Sequence, residues 1–305
     1  MLELSEERLA PSNGIELAYQ EVGDPDGEPL LLIMGLGTQM LAWDEELCGQ
    51  LAERGFRVVR FDNRDIGRST MLDDAGAPNR LDLILGRGAN AAYTLSDMAA
   101  DATGLLDHLG IESAHVVGAS MGGMIAQTLA IEHRDRIRSL VSIMSTTGGR
   151  TVGRPTMKAF GLLLAKAPRG REAYVERVLK TFAVVGSPAF ATDEDRLRDI
   201  AGRMYDRSHN PRGILRQIHA IIASGDRTTA LRKLDLPTTV IHGTRDPLVR
   251  PSGGRATARA VPRARLRIVE GMGHALPREL WPLFVDEIAD TAGRAGWRAA
   301  AAQAA

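Results

Sequence analysis

Three side chains have the types and surroundings to carry a nucleophilic reaction together. They are a serine in Gly118-Ala119-Ser120-Met121-Gly122, an aspartate in Gly243-Thr244-Arg245-Asp246-Pro247 and a histidine in Gly271-Met272-Gly273-His274-Ala275. A serine hydroxyl is a weak nucleophile near neutral pH, so a base must take its proton during attack and an anionic group must hold that base in one tautomer. The small residues around Ser120 matter because a serine on a sharp strand-to-helix turn adopts a strained backbone conformation that bulky neighbours would obstruct. On its own G-x-S-x-G is five common letters in a chain with 32 glycines. Its context adds weight: a strand pattern over Ser113–Val117 runs into it, and an amphipathic helix pattern over Met121–Glu132 follows.

Elimination selects the partners. In an open α/β sheet the reacting groups gather at the carboxyl ends of the strands. Among seven histidines, His108 sits near a helix end, His115 and His242 lie within strands, His133 follows the serine's helix, and His209 and His219 fall in a helical stretch. His274 alone falls on a glycine-flanked loop just past a strand and is the expected base. The strand ending at Ser145-Thr146 offers no carboxylate, whereas the next ends at Asp246, whose turn Pro247 sets; Asp246 is the preferred orienter. Glu270, pointing out from a strand end, and Asp286, on a helix, are weaker candidates. A tetrahedral oxyanion needs two preorganised N–H donors. Met121, directly after the serine at a helix N-terminus, is expected to supply one, and Leu36, between Gly35 and Gly37, the other. The same glycines would also serve a plain tight turn.

Strand and helix patterns alternate in the order that places these groups. A hairpin is expected over Glu7–Leu9 and Ile15–Glu21 around Asn13-Gly14. The continuous apolar run Leu30–Met34, helix Asp44–Arg54 and strand Arg57–Asp62 then read as a right-handed parallel crossover. A helix over Asp97–Leu109 with Ser96 as its cap, the serine strand and its helix, and a strand over Ile137–Met144 continue a doubly wound sheet. From Thr147 the rhythm changes to helical patterns at Thr156–Ala165, Arg171–Phe182, Asp193–Met204 and Arg212–Ala223. Residues 147–230 therefore read as an inserted helical cap, and 1–146 with 231–305 as the α/β core. The cap's basic excess reads as a solvated face more readily than as an anion site. Phe160, Leu163, Phe182, Met204 and Ile214 are candidates for an apolar pocket roof or for packing of the cap onto the core. Strands at Thr238–His242 and Ala264–Val269, helices Ser252–Ala260 and Arg278–Ala292, and a frayed Ala-rich tail complete the chain.

Composition removes several classes of function. The 38 basic and 38 acidic side chains cancel, so no overall field recruits nucleic acid or an anionic membrane. The one cysteine, Cys48, has no disulfide partner and reads as a buried structural thiol. An acidic amino terminus without an apolar core does not read as a signal peptide, and Leu30–Met34 is too short to span a bilayer. A cytoplasmic enzyme or small-molecule-binding protein is the expectation. Asp62 and Arg64, in the loop Asn63–Thr70, could contact substrate or brace the loop.

The stretches MGLG (Met34–Gly37), FDNRDIGRST (Phe61–Thr70), GASMGG (Gly118–Gly123), HGTRDPLV (His242–Val249) and GMGHALP (Gly271–Pro277) together resemble the α/β-hydrolase superfamily, and the chain looks similar to its aclacinomycin methylesterase-like carboxylesterases. The resemblance implies a mostly parallel eight-stranded sheet flanked by helices with an inserted cap, and the triad order Ser120, Asp246, His274. It implies hydrolysis of a small-molecule carboxylic ester through an acyl-enzyme, with no metal or organic cofactor required, and the apolar pattern of the cap residues adds the expectation of an apolar portion in that ester. Lactone or carbon–carbon bond hydrolysis or perhydrolysis on the same triad, and non-catalytic binding, are the alternatives. Two departures stand out: Met34-Gly35 where many relatives have His-Gly, and Arg64-Asp65 where many have Arg-Gly.

Overall fold

The computed structural model describes residues 3–297. Its eight strands are β1 (Arg8–Ser12), β2 (Ile15–Val22), β3 (Glu28–Ile33), β4 (Phe56–Phe61), β5 (Ala114–Ala119), β6 (Ile137–Ile143), β7 (Thr238–Gly243) and β8 (Arg265–Val269). They form one sheet in the order β1-β2-β4-β3-β5-β6-β7-β8, antiparallel at β1/β2 and β2/β4 and parallel elsewhere. The hairpin turns on Asn13 and Gly14, both with positive φ (48° and 78°), as a two-residue type I′ turn requires. The chain reverses direction across the sheet at β3 and β5, so the loops after these two strands open beside each other, where a ligand crevice forms in such sheets.

Central parallel strands are covered on both faces, which is why Leu30–Ile33 and all six residues of β5 are buried. Alternate side chains serve opposite faces. Leu31, Ile33, Val59, Phe61 and Val116 pack with α3 (Leu95–His108) and α4 (Met121–Glu132). Leu30, Leu32, Val58, Val117 and Ala119 pack with α1 (Glu45–Glu53) and α11 (Trp281–Gly293). Cys48 lies in this second layer, completely buried, and burial pushes its thiol up to about 12.

Helix ends follow local chemistry, with one correction. Asp44 caps α1, accepting the Glu46 N–H at 2.9 Å. The residue before α3 that caps it is Thr94 rather than Ser96. Thr94 and Asp97 form a reciprocal capping box, so the helix starts two residues earlier than the serine suggested. Ser96 instead hydrogen bonds Glu132. A short helix α2 (Arg80–Leu85), capped by Asn79 and ended by left-handed Gly86, was not anticipated; six residues are too few to show a helical period.

Between β6 and β7 the chain runs through α5 (Met157–Leu164), α6 (Arg171–Val185), α7 (Glu194–Arg207), α8 (Pro211–Ser224) and the single turn α9 (Thr228–Leu231), before α10 (Ser252–Ala260) joins β7 to β8. The basic excess of this segment is not simply a solvated face. Four of its arginines pair with carboxylates in the stretch from α1 to the loop after β4: Arg196 with Asp44 (2.5 Å), Arg203 with Glu45 (2.5 Å), Arg207 with Asp62 (2.5 Å) and Arg216 with Asp65 (2.6 Å). The first two pairs are partly exposed and contribute little, whereas the last two are nearly closed to solvent. Among the described residues no helix is long and apolar enough to cross a membrane.

Candidate active site

Ser120 joins β5 to α4 in a backbone conformation (φ 57°, ψ −119°) that non-glycine residues avoid, at a cost on the order of 1–3 kcal/mol. The packing around it enforces that turn. A Cβ on Gly118 would fall 2.2 Å from the Gly122 carbonyl oxygen, and one on Gly122 would fall 2.0 Å from that of Ile33. Only glycines let the first turn of α4 press this closely onto β5 and β3. The Ser120 N–H donates to Ile143 O at 2.9 Å, and its carbonyl accepts from the Ser145 hydroxyl at 2.7 Å, so β6 holds the turn from the other side.

His274 and Asp246 converge on this serine. His274 Nε2 lies 2.9 Å from Ser120 Oγ, and its Nδ1 lies 2.7 Å from Asp246 Oδ2. Asp246 is almost fully buried, and its other oxygen, Oδ1, accepts the N–H groups of Leu248 (2.9 Å) and Val249 (2.8 Å). Burial alone would raise this carboxyl, but His274 and His242 beside it more than offset that, and its pKa lies well below the usual carboxylate range. An ionised carboxylate can only accept, so Nδ1 carries the imidazole proton and Nε2 faces the hydroxyl as an acceptor. The loop bearing His274 is anchored twice to the end of α6: the His274 N–H donates to Val185 O (2.6 Å), and the Gly273 N–H to the Ser187 hydroxyl (2.9 Å).

The two segments that carry the expected oxyanion donors both lie beside Ser120. Met121 is the first residue of α4, and the loop after β3 approaches so closely that a Cβ on Gly35 would lie 3.0 Å from Ser120 Cβ. Neither the Leu36 nor the Met121 backbone N–H has a hydrogen-bond acceptor among the described residues. Among these residues no His, Cys, Asp and Glu side chains are grouped to hold a metal ion.

The remaining candidates are engaged elsewhere. Asp62 accepts the N–H of Met40 (2.8 Å) and of Arg68 (3.0 Å) and pairs with Arg207, and Arg64 makes two 2.6 Å bonds to Asp101, so both act as braces. Asp286 pairs with Arg54 on the surface, and Glu270 is exposed. His115 bonds Ser139 and Glu28, His219 meets the Arg87 carbonyl, and His209 packs edge-on to Tyr174 and tilted against Tyr205. At the first departure from the common pattern, Asn63 Nδ2 donates to the backbone carbonyl of Met34 at 2.9 Å; the second acquires a reason. Asp65 occupies a left-handed position (φ 70°) that glycine would fill without strain, and its carboxylate binds Arg216, the Tyr93 hydroxyl and the Leu72 N–H. Sequence reasoning missed His242, whose Nε2 donates to Val249 O (2.7 Å) and lies 3.4 Å from Asp246 Oδ2. Its spacing four residues before Asp246 was the available signal.

A family model described as "alpha/beta hydrolase fold" matches residues 28–277. The chain belongs to this family. Within it, the chain is 28% identical over 291 residues to a rhodomycin D methylesterase of Streptomyces sp. (strain C5), covering 88% of this chain and 92% of the relative. Among solved structures it is similar to a hydrolase from Pseudomonas aeruginosa PA01 (TM-score 0.73, 24% identity, 95% of this chain and 99% of that one). It also resembles the enol-lactonase from Burkholderia xenovorans LB400 (TM-score 0.69, 25% identity, 93% and 99%).

Proposed function

We propose that the protein is a serine hydrolase that cleaves a small-molecule carboxylic ester through an acyl-enzyme. The observation that carries this reading is the unbroken relay from Ser120 Oγ through His274 to Asp246, with hydrogen bonds of 2.9 and 2.7 Å. As Oγ attacks the ester carbonyl, Nε2 takes the hydroxyl proton and Asp246 stabilises the imidazolium. The carbonyl oxygen becomes an oxyanion, bound by the N–H groups of Leu36 and Met121 at the positive end of α4. Collapse breaks the bond to the alcohol oxygen, which leaves with the proton from Nε2. Water then attacks the acyl-serine, giving its proton to His274; the acid departs and Ser120 Oγ recovers its hydrogen. The net change is ester plus water to acid plus alcohol.

The methylesterase relative favours an ester as substrate. Residues 147–230 serve in this reading as a lid. Ile214 of α8 lies over Gly37, where an added Cβ would come within 3.2 Å of it, and this apolar contact beside the oxyanion loop suits an apolar acyl or alcohol portion. The likeness to an enol-lactonase makes lactone hydrolysis the second reading. A panel of p-nitrophenyl esters and lactones, run beside Ser120→Ala, separates them. Ester turnover is expected in the parent and less than about a hundredth of it in Ser120→Ala, the loss expected when a nucleophile is removed. Equal ester turnover by the two proteins would overturn Ser120 as the nucleophile, and no turnover by the parent together with no labelling of Ser120 by a fluorophosphonate would return the chain to a binding role.

A further inference from the structure

Helix α8 reaches the loop carrying Leu36 through one side chain. Gln217 is completely shielded from solvent; its Oε1 accepts the Gly37 N–H at 2.9 Å and its Nε2 donates to the Arg64 carbonyl at 2.9 Å. A buried amide is costly unless both ends are bonded. Here each end is spent on the backbone of a different loop, and neither on a side chain.

The turn it grips is conformationally ambiguous. Gly35–Thr38 closes with the Thr38 N–H on Gly35 O (3.4 Å), and Gly37, third in the turn, has φ +66°, the left-handed value of a type II turn. Types I and II differ chiefly by a flip of the central peptide, here the one joining Leu36 to Gly37. Gln217 holds the N–H of that peptide, and the Thr38 hydroxyl holds its carbonyl at 3.1 Å. On the other side of Leu36, Asn63 holds the Met34 carbonyl. The Leu36 N–H is thus clamped between fixed neighbours, while the competing Gly37 N–H is already consumed. Gln217 is itself held in place, because the adjacent Arg216 grips Asp65 with bonds of 2.8 and 2.6 Å, in the same loop that receives Nε2.

We propose that Gln217, contributed by the segment between β6 and β7, is a positioning residue for the oxyanion loop. It fixes the Leu36–Gly37 peptide so that Leu36 presents its N–H beside Ser120. This rests on the esterase reading above, in which that N–H binds the oxyanion.

Gln217→Met removes both hydrogen bonds at similar length and tests the idea. The expected result is a fall in kcat of about tenfold to a hundredfold, somewhat below the loss on deleting an oxyanion donor outright, with KM within about threefold. The affinity for a trifluoromethyl ketone, which mimics the tetrahedral oxyanion, should fall by the same factor as kcat/KM, whereas a merely structural role would leave these two uncoupled. A folded Gln217→Met protein with kcat within about twofold of the parent, or with only KM raised, overturns the proposal. Hydrogen exchange on the parent is the second measurement and needs no variant: the Gly37 amide must exchange slowly, and rapid exchange there refutes the clamp. The Ser120→Ala control keeps the two readings apart. Full turnover by that protein removes the acyl-enzyme reading built on Ser120, while a fully active Gln217→Met beside a dead Ser120→Ala removes only the role of Gln217.

Discussion

Replacing Asp246 by asparagine tests the relay at its least exposed point. Oδ1 of Asp246 accepts two backbone N–H groups, from Leu248 and Val249, so an asparagine must keep its carbonyl oxygen there. Its NH₂ then occupies the Oδ2 position, 2.7 Å from His274 Nδ1. A donor facing Nδ1 forces the imidazole proton onto Nε2, which faces Ser120 Oγ at 2.9 Å and can no longer accept the hydroxyl proton. Shape and packing are conserved while the tautomer is inverted. The loss expected for such an inversion in a Ser-His-Asp triad is on the order of 10⁴ in kcat, or about 5.5 kcal/mol of transition-state stabilisation at 1.36 kcal/mol per tenfold. The assay is kcat and KM on a p-nitrophenyl ester between pH 5 and 8, with unfolding followed in parallel. Because the Asp246 carboxyl is held well below the usual range, the parent keeps its carboxylate throughout that window. The stability gained from ionised Asp246 is therefore fully present there, and is lost only as pH falls below the unfolded value of about 3.9 toward the folded one. The deficit of Asp246→Asn should accordingly show no relief from acidification within the window. A folded Asp246→Asn protein that retains more than about a tenth of parental kcat would refute the tautomer argument.

Two further outcomes follow from buried groups away from the serine. Arg216→Met leaves the fully buried Asp65 with only the Tyr93 hydroxyl and the Leu72 N–H, and is expected to cost about 3–5 kcal/mol in denaturant unfolding; a change under about 1 kcal/mol would mean that α8 is held mainly by other contacts. Cys48, with its thiol pushed up to about 12 by burial, should resist iodoacetamide at pH 8 in the native protein and react once guanidinium unfolds it. Native-state labelling at a rate near that of a free thiol would contradict its burial.

Much of this protein was legible in its sequence because local chemistry decides it. Continuous apolar runs such as Leu30–Ile33 mark strands covered on both faces, Asn13-Gly14 marks a hairpin, and the spacing of Gly118 and Gly122 about Ser120 marks a strained turn whose neighbours must be small. The order of Ser120, Asp246 and His274 could be argued from the places where strand patterns end, since those ends share one edge of a parallel sheet. What the residue order could not supply is which distant groups meet. The basic excess of residues 147–230 was visible as charge, but its division into partly exposed pairs at Arg196 and Arg203 and closed ones at Arg207 and Arg216 depends on how α7 and α8 lie against α1 and the loop after β4. Gln217 to Gly37 and Ser187 to Gly273 carry no periodic signal; each is a single hydrogen bond, and only the packing of the whole chain brings its two ends within reach.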